Sequence, residues 1–158
     1  MAAPYRGNTG SGTYFITAST FQRCCLFQSE RMAGLFMEVL MHYRSKNSYL
    51  LHGFVLMPDH FHLLLTPLLT LERSLQLIKG GFSYRVKKEL GCAGEVWEKS
   101  FYDRRMRDMQ EYCQFRLYIL QNPVKGRLVA EASEYPYSSA KMLLDEVPQR
   151  LKPLDLSA

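Results

Sequence analysis

Two histidines one residue apart, His60 and His62, form the sharpest chemical pattern in this sequence of 158 residues. On a strand successive side chains alternate between faces, so both imidazoles project the same way while Phe61 points into the opposite layer. Leu63 and Leu65 continue the Phe61 face, which predicts that helices cover that side. Two imidazoles on one face can share a divalent cation. The same tripeptide also fits two satisfied, partly buried histidines. His52 falls on the neighbouring strand at an offset that spacing does not resolve, and His42 falls on a helix.

A second pair, Tyr118 and Asn122, stands at i and i+4 of a helical pattern, about 40° apart in projection. Met109, Cys113, Leu117 and Leu120 make one apolar stripe of that helix, which is expected to be its core face. Glu111, Gln114, Phe115, Tyr118 and Asn122 gather on the other side. A phenol can act as a covalent nucleophile, although an unperturbed pKa of about 10 leaves little phenolate at neutral pH. A cation on His60 and His62 would polarise a phosphate, and Asn122 could lend an amide oxygen as a third protein ligand. Mg²⁺ prefers oxygen ligands and Mn²⁺ tolerates imidazole better, so either ion suits such a set. Tyr102 and Tyr112 are rival nucleophiles, but their i+4 positions hold Met106 and Arg116 instead of an amide. The alternative is that Tyr118 lies on a solvated or interface face and Asn122 only ends the helix.

These residues need elements to position them. Residues 1–12, with three glycines and a proline, read as a flexible lead-in. Thr13 to Thr20 is rich in aromatic and β-branched residues and predicts a first strand. Ser29 precedes Met32, Leu35, Phe36, Val39, Leu40 and Tyr43, the spacing of an amphipathic helix ending near Asn47. Tyr49 to Met57 and Asp59 to Thr66 predict a hairpin turning at Met57-Pro58-Asp59. A second helix is expected from Leu71 to Leu90, weakened and bent at Gly80-Gly81. Glu95 to Met106 reads as extended. Asp108 opens a third helix, which Pro123 is expected to close at Gln121 or Asn122. The first six elements match a split βαβ arrangement, an α+β fold with an antiparallel sheet, helices on one face and the other face free for a site.

The bulk numbers set the frame. One domain of this length buries a sizeable core, and 47% hydrophobic with 22% charged residues excludes wholesale disorder. The net charge of +5 suits a polyanionic partner. Arg104, Arg105 and Arg107 follow the last strand, and Lys79, Arg85, Lys87 and Lys88 line the second helix. Arg104, Arg105 and Lys79 are the candidate phosphate contacts, and Tyr102 and Phe115 could stack on unpaired bases. The four cysteines form no CxxC pair and no signal segment is evident, so a reduced, cytoplasmic compartment is expected. No apolar run is long enough to span a bilayer.

Several segments together resemble the REP-associated tyrosine transposases, a branch of the HUH single-strand endonuclease superfamily. They are Leu56-Met57-Pro58-Asp59-His60-Phe61-His62-Leu63-Leu64, Ile78-Lys79 with Phe82-Ser83, Trp97, Phe101, Arg104 to Asp108, Tyr118-Ile119 with Asn122-Pro123-Val124, and Tyr135-Pro136 with Ser138-Ser139. The resemblance implies a ferredoxin-like catalytic domain over 13–130 and a C-terminal tail over 131–158. It implies that His60, His62 and Asn122 hold Mg²⁺ or Mn²⁺, and that Tyr118 cleaves single-stranded DNA to leave a 5′-phosphotyrosine and a free 3′-hydroxyl. The implied partners are REP-type DNA hairpins, and a homodimer is left open. A non-catalytic hairpin-binding module on the same fold is the alternative, with a small metal-dependent hydrolase behind it. In one departure from the family pattern, Lys125-Gly126-Arg127 places its glycine one step early.

Overall fold

A computed structural model describes residues 12–151; the expected lead-in lies almost entirely outside the described residues. The strands are β1 (Tyr14–Ser19), β2 (Tyr49–Met57), β3 (His60–Pro67) and β4 (Tyr102–Arg105), and the helices are α1 (Glu30–Ser45), α2 (Leu71–Leu90) and α3 (Met109–Lys125). The sheet runs β2-β3-β1-β4 with every pairing antiparallel. This is the split βαβ, α+β architecture that the element order predicts.

Each helix starts where a short polar side chain can accept from an orphan N–H. Ser29 accepts from Met32, Thr70 from Arg73 and Asp108 from Glu111. Gly91, in the left-handed region at φ 66°, stops α2. α2 runs continuously through Gly80 and Gly81. A Cβ on Gly81 would sit 2.9 Å from the Tyr43 ring, so this glycine allows α1 and α2 to approach closely.

Register decides the two faces of the sheet. Ile16, Phe54, Leu56, Phe61, Leu63 and Leu65 pack beneath α1 and α2, where Phe27, Phe36, Phe82 and Trp97 complete an aromatic core. Phe61 sits 5.0 Å from Phe36 and 5.3 Å from Trp97 by ring centroids, so it does anchor its strand as the alternation predicts. On the opposite face, Phe15, Val55, Met57 and Leu64 pack with Tyr112 and Ile119 of α3. That face is therefore not left free, as expected from the βαβ pattern alone; α3 crosses it.

Three further expectations are corrected. Only Tyr102–Arg105 of the segment 95–106 is strand; Trp97 makes a single bridge to Thr20 and turns its ring into the core. α3 continues through a buried Pro123 to Lys125. Proline there forgoes one helical N–H bond, and the orphan carbonyls of the last turn bond onward, as in Leu128 N–H to Pro123 O. The core face of α3 is Glu111, Tyr112, Ile119 and Pro123, while Cys113 and Leu117 are exposed. At 100° per residue the buried stripe is turned by about a third of a turn from the Met109-Cys113-Leu117-Leu120 stripe. Aromatic rings on the sheet take up Tyr112 and Phe115 more favourably than the leucines.

Residues beyond α3 return to the sheet edge. Leu56 N–H donates to Tyr137 O (2.8 Å), Ser139 N–H to Phe54 O (3.0 Å), and Leu51 N–H to the Asp145 carboxylate (2.8 Å). Asp145 also receives two bonds from Arg44. These contacts cover the open edge of β2, which would otherwise present unpaired backbone groups.

Candidate active site

The β2–β3 hairpin turns at Pro58 and Asp59, so His60 opens β3 opposite Met57 and Ser19, and His62 follows opposite Val55 and Thr17. Both imidazoles lie on the α3 face, with ring centroids 4.8 Å apart. Each has one nitrogen already engaged. His60 Nδ1 is 2.7 Å from Asp59 Oδ1, and His62 Nδ1 is 2.7 Å from Thr17 Oγ1. With Nδ1–H donating to that oxygen, each ring would present Nε2 as a lone-pair ligand, the arrangement that orients metal-binding histidines. Burial above all, then the charges of His60 and Arg23, brings the His62 pKa from 6.5 to about 3. That imidazole is neutral at physiological pH, the state a ligand needs.

Tyr118 reaches the pair from α3. Its ring centroid is 5.4 Å from that of His62 and 5.9 Å from that of Phe15. Phe15 itself stacks on His62 at 5.3 Å and 22°, and meets Phe115 at 4.7 Å. Tyr118 is 41% exposed, with its ring set edge-on against His62 and Phe15. Lys125 stands 5.9 Å from the ring centre. Asn122, one turn on, is half-buried. The same turn of α3 lies over Met57, whose methyl would be 3.1 Å from a Cβ on Gly126, and Met57 is the register partner of His60. No set of three His, Cys, Asp or Glu side chains among the described residues could hold a metal ion. Two imidazoles with an amide oxygen form a donor set that would suit Mn²⁺ or Mg²⁺.

Residues 10–119 match the family model for IS200-like transposases. The chain belongs to that family. It is thus a transposase-family protein, of a class that binds and cleaves DNA and is generally metal-dependent. A REP-associated tyrosine transposase solved bound to a REP hairpin is similar in fold, with a TM-score of 0.74 and 22% identity, over 98% of this chain and 90% of that one. A putative transposase from Deinococcus radiodurans R1 is also similar, with a TM-score of 0.51 and 23% identity, over 74% of this chain and 95% of that one. No curated protein sequence matches the chain. Among the described residues no helix is long and apolar enough to cross a membrane.

The remaining candidates of this transposase-family chain fall into separate places. Tyr112 is buried beside His52, and burial raises its pKa. Tyr102 is exposed on β4, with its ring 6.4 Å from Phe15. His52 sits at a β-bulge between Leu51 and Gly53, bonded to Thr66 Oγ1 (2.8 Å) and near Asp145 O (3.0 Å). Arg104 shares the α3 face, paired with Glu111 at 3.0 Å and lying 5.3 Å over the Phe115 ring. Arg105 lines a cavity of about 400 Å³ with Arg107 and Arg150. Lys79 is on α2, in the layer across the sheet from the histidines; its ammonium donates to Glu98 O (2.9 Å), and burial lowers its pKa. Spacing alone did not reveal Phe15, Thr17, Asp59 or Arg23. Alternation along β1 puts Phe15, Thr17 and Ser19 on one face, but only the register brings them to His60 and His62.

Proposed function

We propose that this protein cuts and rejoins single-stranded DNA through a transient 5′-phosphotyrosine on Tyr118, acting on hairpins of the REP type. The observation that carries this reading is the meeting of Tyr118 with His62 at 5.4 Å, across the interface between α3 and the sheet. Tyr118 Oη attacks the phosphorus, its proton passes to solvent, the bond to the 3′-oxygen breaks, and that oxygen leaves as a hydroxyl. Reversal, with another strand's 3′-hydroxyl attacking the phosphotyrosine, rejoins DNA without an external energy source. His60, His62 and Asn122 would hold the divalent ion, Mg²⁺ or Mn²⁺, whose charge stabilises the crowded phosphate oxygens. Thr17 and Asp59 keep the two imidazoles in one orientation.

Arg104, its guanidinium 5.3 Å over the Phe115 ring, suits a phosphate or base contact, and the Arg105-Arg107-Arg150 cavity suits the strand leading away from it. Lys79 is committed to Glu98, which favours a role in holding the Trp97 segment. Four exposed, unpaired cysteines accord with a reducing cytoplasm. The fold shared with a hairpin-bound transposase supports the choice of DNA form.

Incubating the protein, Mn²⁺ and a labelled REP-type hairpin should give a denaturant-resistant adduct, and Tyr118→Phe should lower its formation by at least about a thousandfold. An adduct of undiminished yield in that variant would remove Tyr118 as nucleophile. Tight hairpin binding with no adduct under any divalent ion would point instead to a binding module.

A further inference from the structure

Beside the two histidines lies a loop whose backbone is held in an unfavourable shape. Gln22 and Arg23 both adopt left-handed conformations, with φ 55° and 56°, although neither is glycine. Such residues persist only where their surroundings over-determine them, and they concentrate at functional sites. Here the surroundings do so. Gln22 N–H donates to Glu98 Oε1 (2.7 Å), and Thr20 Oγ1 donates to Cys24 O (2.7 Å). Phe21 N–H donates to Val96 O (2.9 Å), Arg23 N–H to Thr20 O (3.0 Å) and Thr20 N–H to Asp59 O (2.9 Å).

The strain aims the Arg23 guanidinium at the edge of the site. Its Nε donates to Asp59 Oδ2 (3.0 Å) and its Nη1 to Ser19 Oγ (2.9 Å). Asp59 uses its other oxygen on His60, and Ser19 is the register partner of His60. Nη2 has no partner among the described residues, and the side chain is 58% exposed. An exposed ion pair by itself stabilises little and does not account for two left-handed residues. A fixed guanidinium with a donor to spare, held through Asp59 and Ser19 beside the two histidines, is suited to a phosphate oxygen.

We propose that Arg23 contacts the scissile phosphate, with Asp59 and Ser19 fixing its plane. This rests on the phosphotyrosine reading. The test is single-turnover adduct formation with Mn²⁺ by wild type, Arg23→Ala and Arg23→Lys. Each is given a hairpin carrying either a normal linkage or a neutral methylphosphonate at the cut. Arg23→Ala should slow the normal reaction by about 100-fold and Arg23→Lys by less, with hairpin and Mn²⁺ affinities within about threefold of wild type. On the methylphosphonate the Arg23→Ala deficit should shrink to about threefold or less, because the charge that Arg23 meets is gone. A wild-type rate in Arg23→Ala, or an equal deficit on both linkages, overturns the proposal. Absence of any adduct with wild type overturns the phosphotyrosine reading, and this proposal with it.

Discussion

His60 and His62 are fixed by different partners, a carboxylate for the first and a hydroxyl for the second. Thr17 is the simpler of the two to test, because valine matches its shape and removes only the oxygen. Thr17→Val should weaken Mn²⁺ binding by about 10- to 100-fold, read by titration calorimetry, while leaving the melting temperature nearly unchanged. Unaltered binding would mean that His62 needs no orienting bond. His62 also makes stability depend on pH. Burial first, then the charges of His60 and Arg23, lowers its pKa from 6.5 to about 3. An unfolded chain takes up this proton near pH 6.5 and the folded chain only near 3, so protons favour unfolding throughout that window. Without metal, the melting temperature should fall as pH drops from about 6.5 to about 3, and less steeply in His62→Gln. Equal slopes would remove His62 from the account. The same-face histidines were legible from alternation alone. Their partners were not, because Thr17 and Arg23 reach them only through strand register and a left-handed loop.

At the scale of elements, α1 and α2 begin and end where the caps and apolar spacing place them. α3 shows where that logic stops. Counting leucine, methionine and cysteine as the buried side put its core stripe on the wrong face, because the sheet it meets is lined by Phe15, Val55 and Met57. Tyr112, Phe115 and Ile119 fill that surface, and the rotation brings Tyr118 down to His62. The Gly126 cap has φ −76°, while Arg127 takes the left-handed position at φ 59°. The early glycine therefore leaves an arginine where a glycine would fit best. The glycine pair of α2 divides in the same manner. A Cβ on Gly80 meets nothing within 4 Å, whereas one on Gly81 meets Tyr43 at 2.9 Å and Val39 at 3.1 Å. Gly80→Ala should stabilise by about 0.5–1 kcal/mol through helix propensity. Gly81→Ala should destabilise by about 1–3 kcal/mol through overpacking. Urea denaturation of both variants checks the pair, and equal effects would contradict the close approach of α1 and α2.

Taken whole, the molecule is a sheet with a helical core layer on one side and a chemical layer on the other. The core layer anchors the strands, α3 brings the Tyr118 ring to His62, and residues 137–145 cover the β2 edge. Arg105, Arg107 and Arg150 line one cavity, where phosphates would replace counterions. Arg150→Ala should weaken hairpin binding and reduce the slope of log affinity against log salt by about one. An unchanged slope would place the strand elsewhere.

Tyr118 of α3 is the residue proposed to join DNA. Protease digestion of the covalent complex formed with Mn²⁺ and a hairpin oligonucleotide, followed by mass spectrometry, tests it directly. A nucleotide attached through its 5′-phosphate to Tyr118, in the peptide 117–125, is the predicted result. Attachment at Tyr102 or Tyr112, or recovery of 117–125 wholly unmodified, would contradict it.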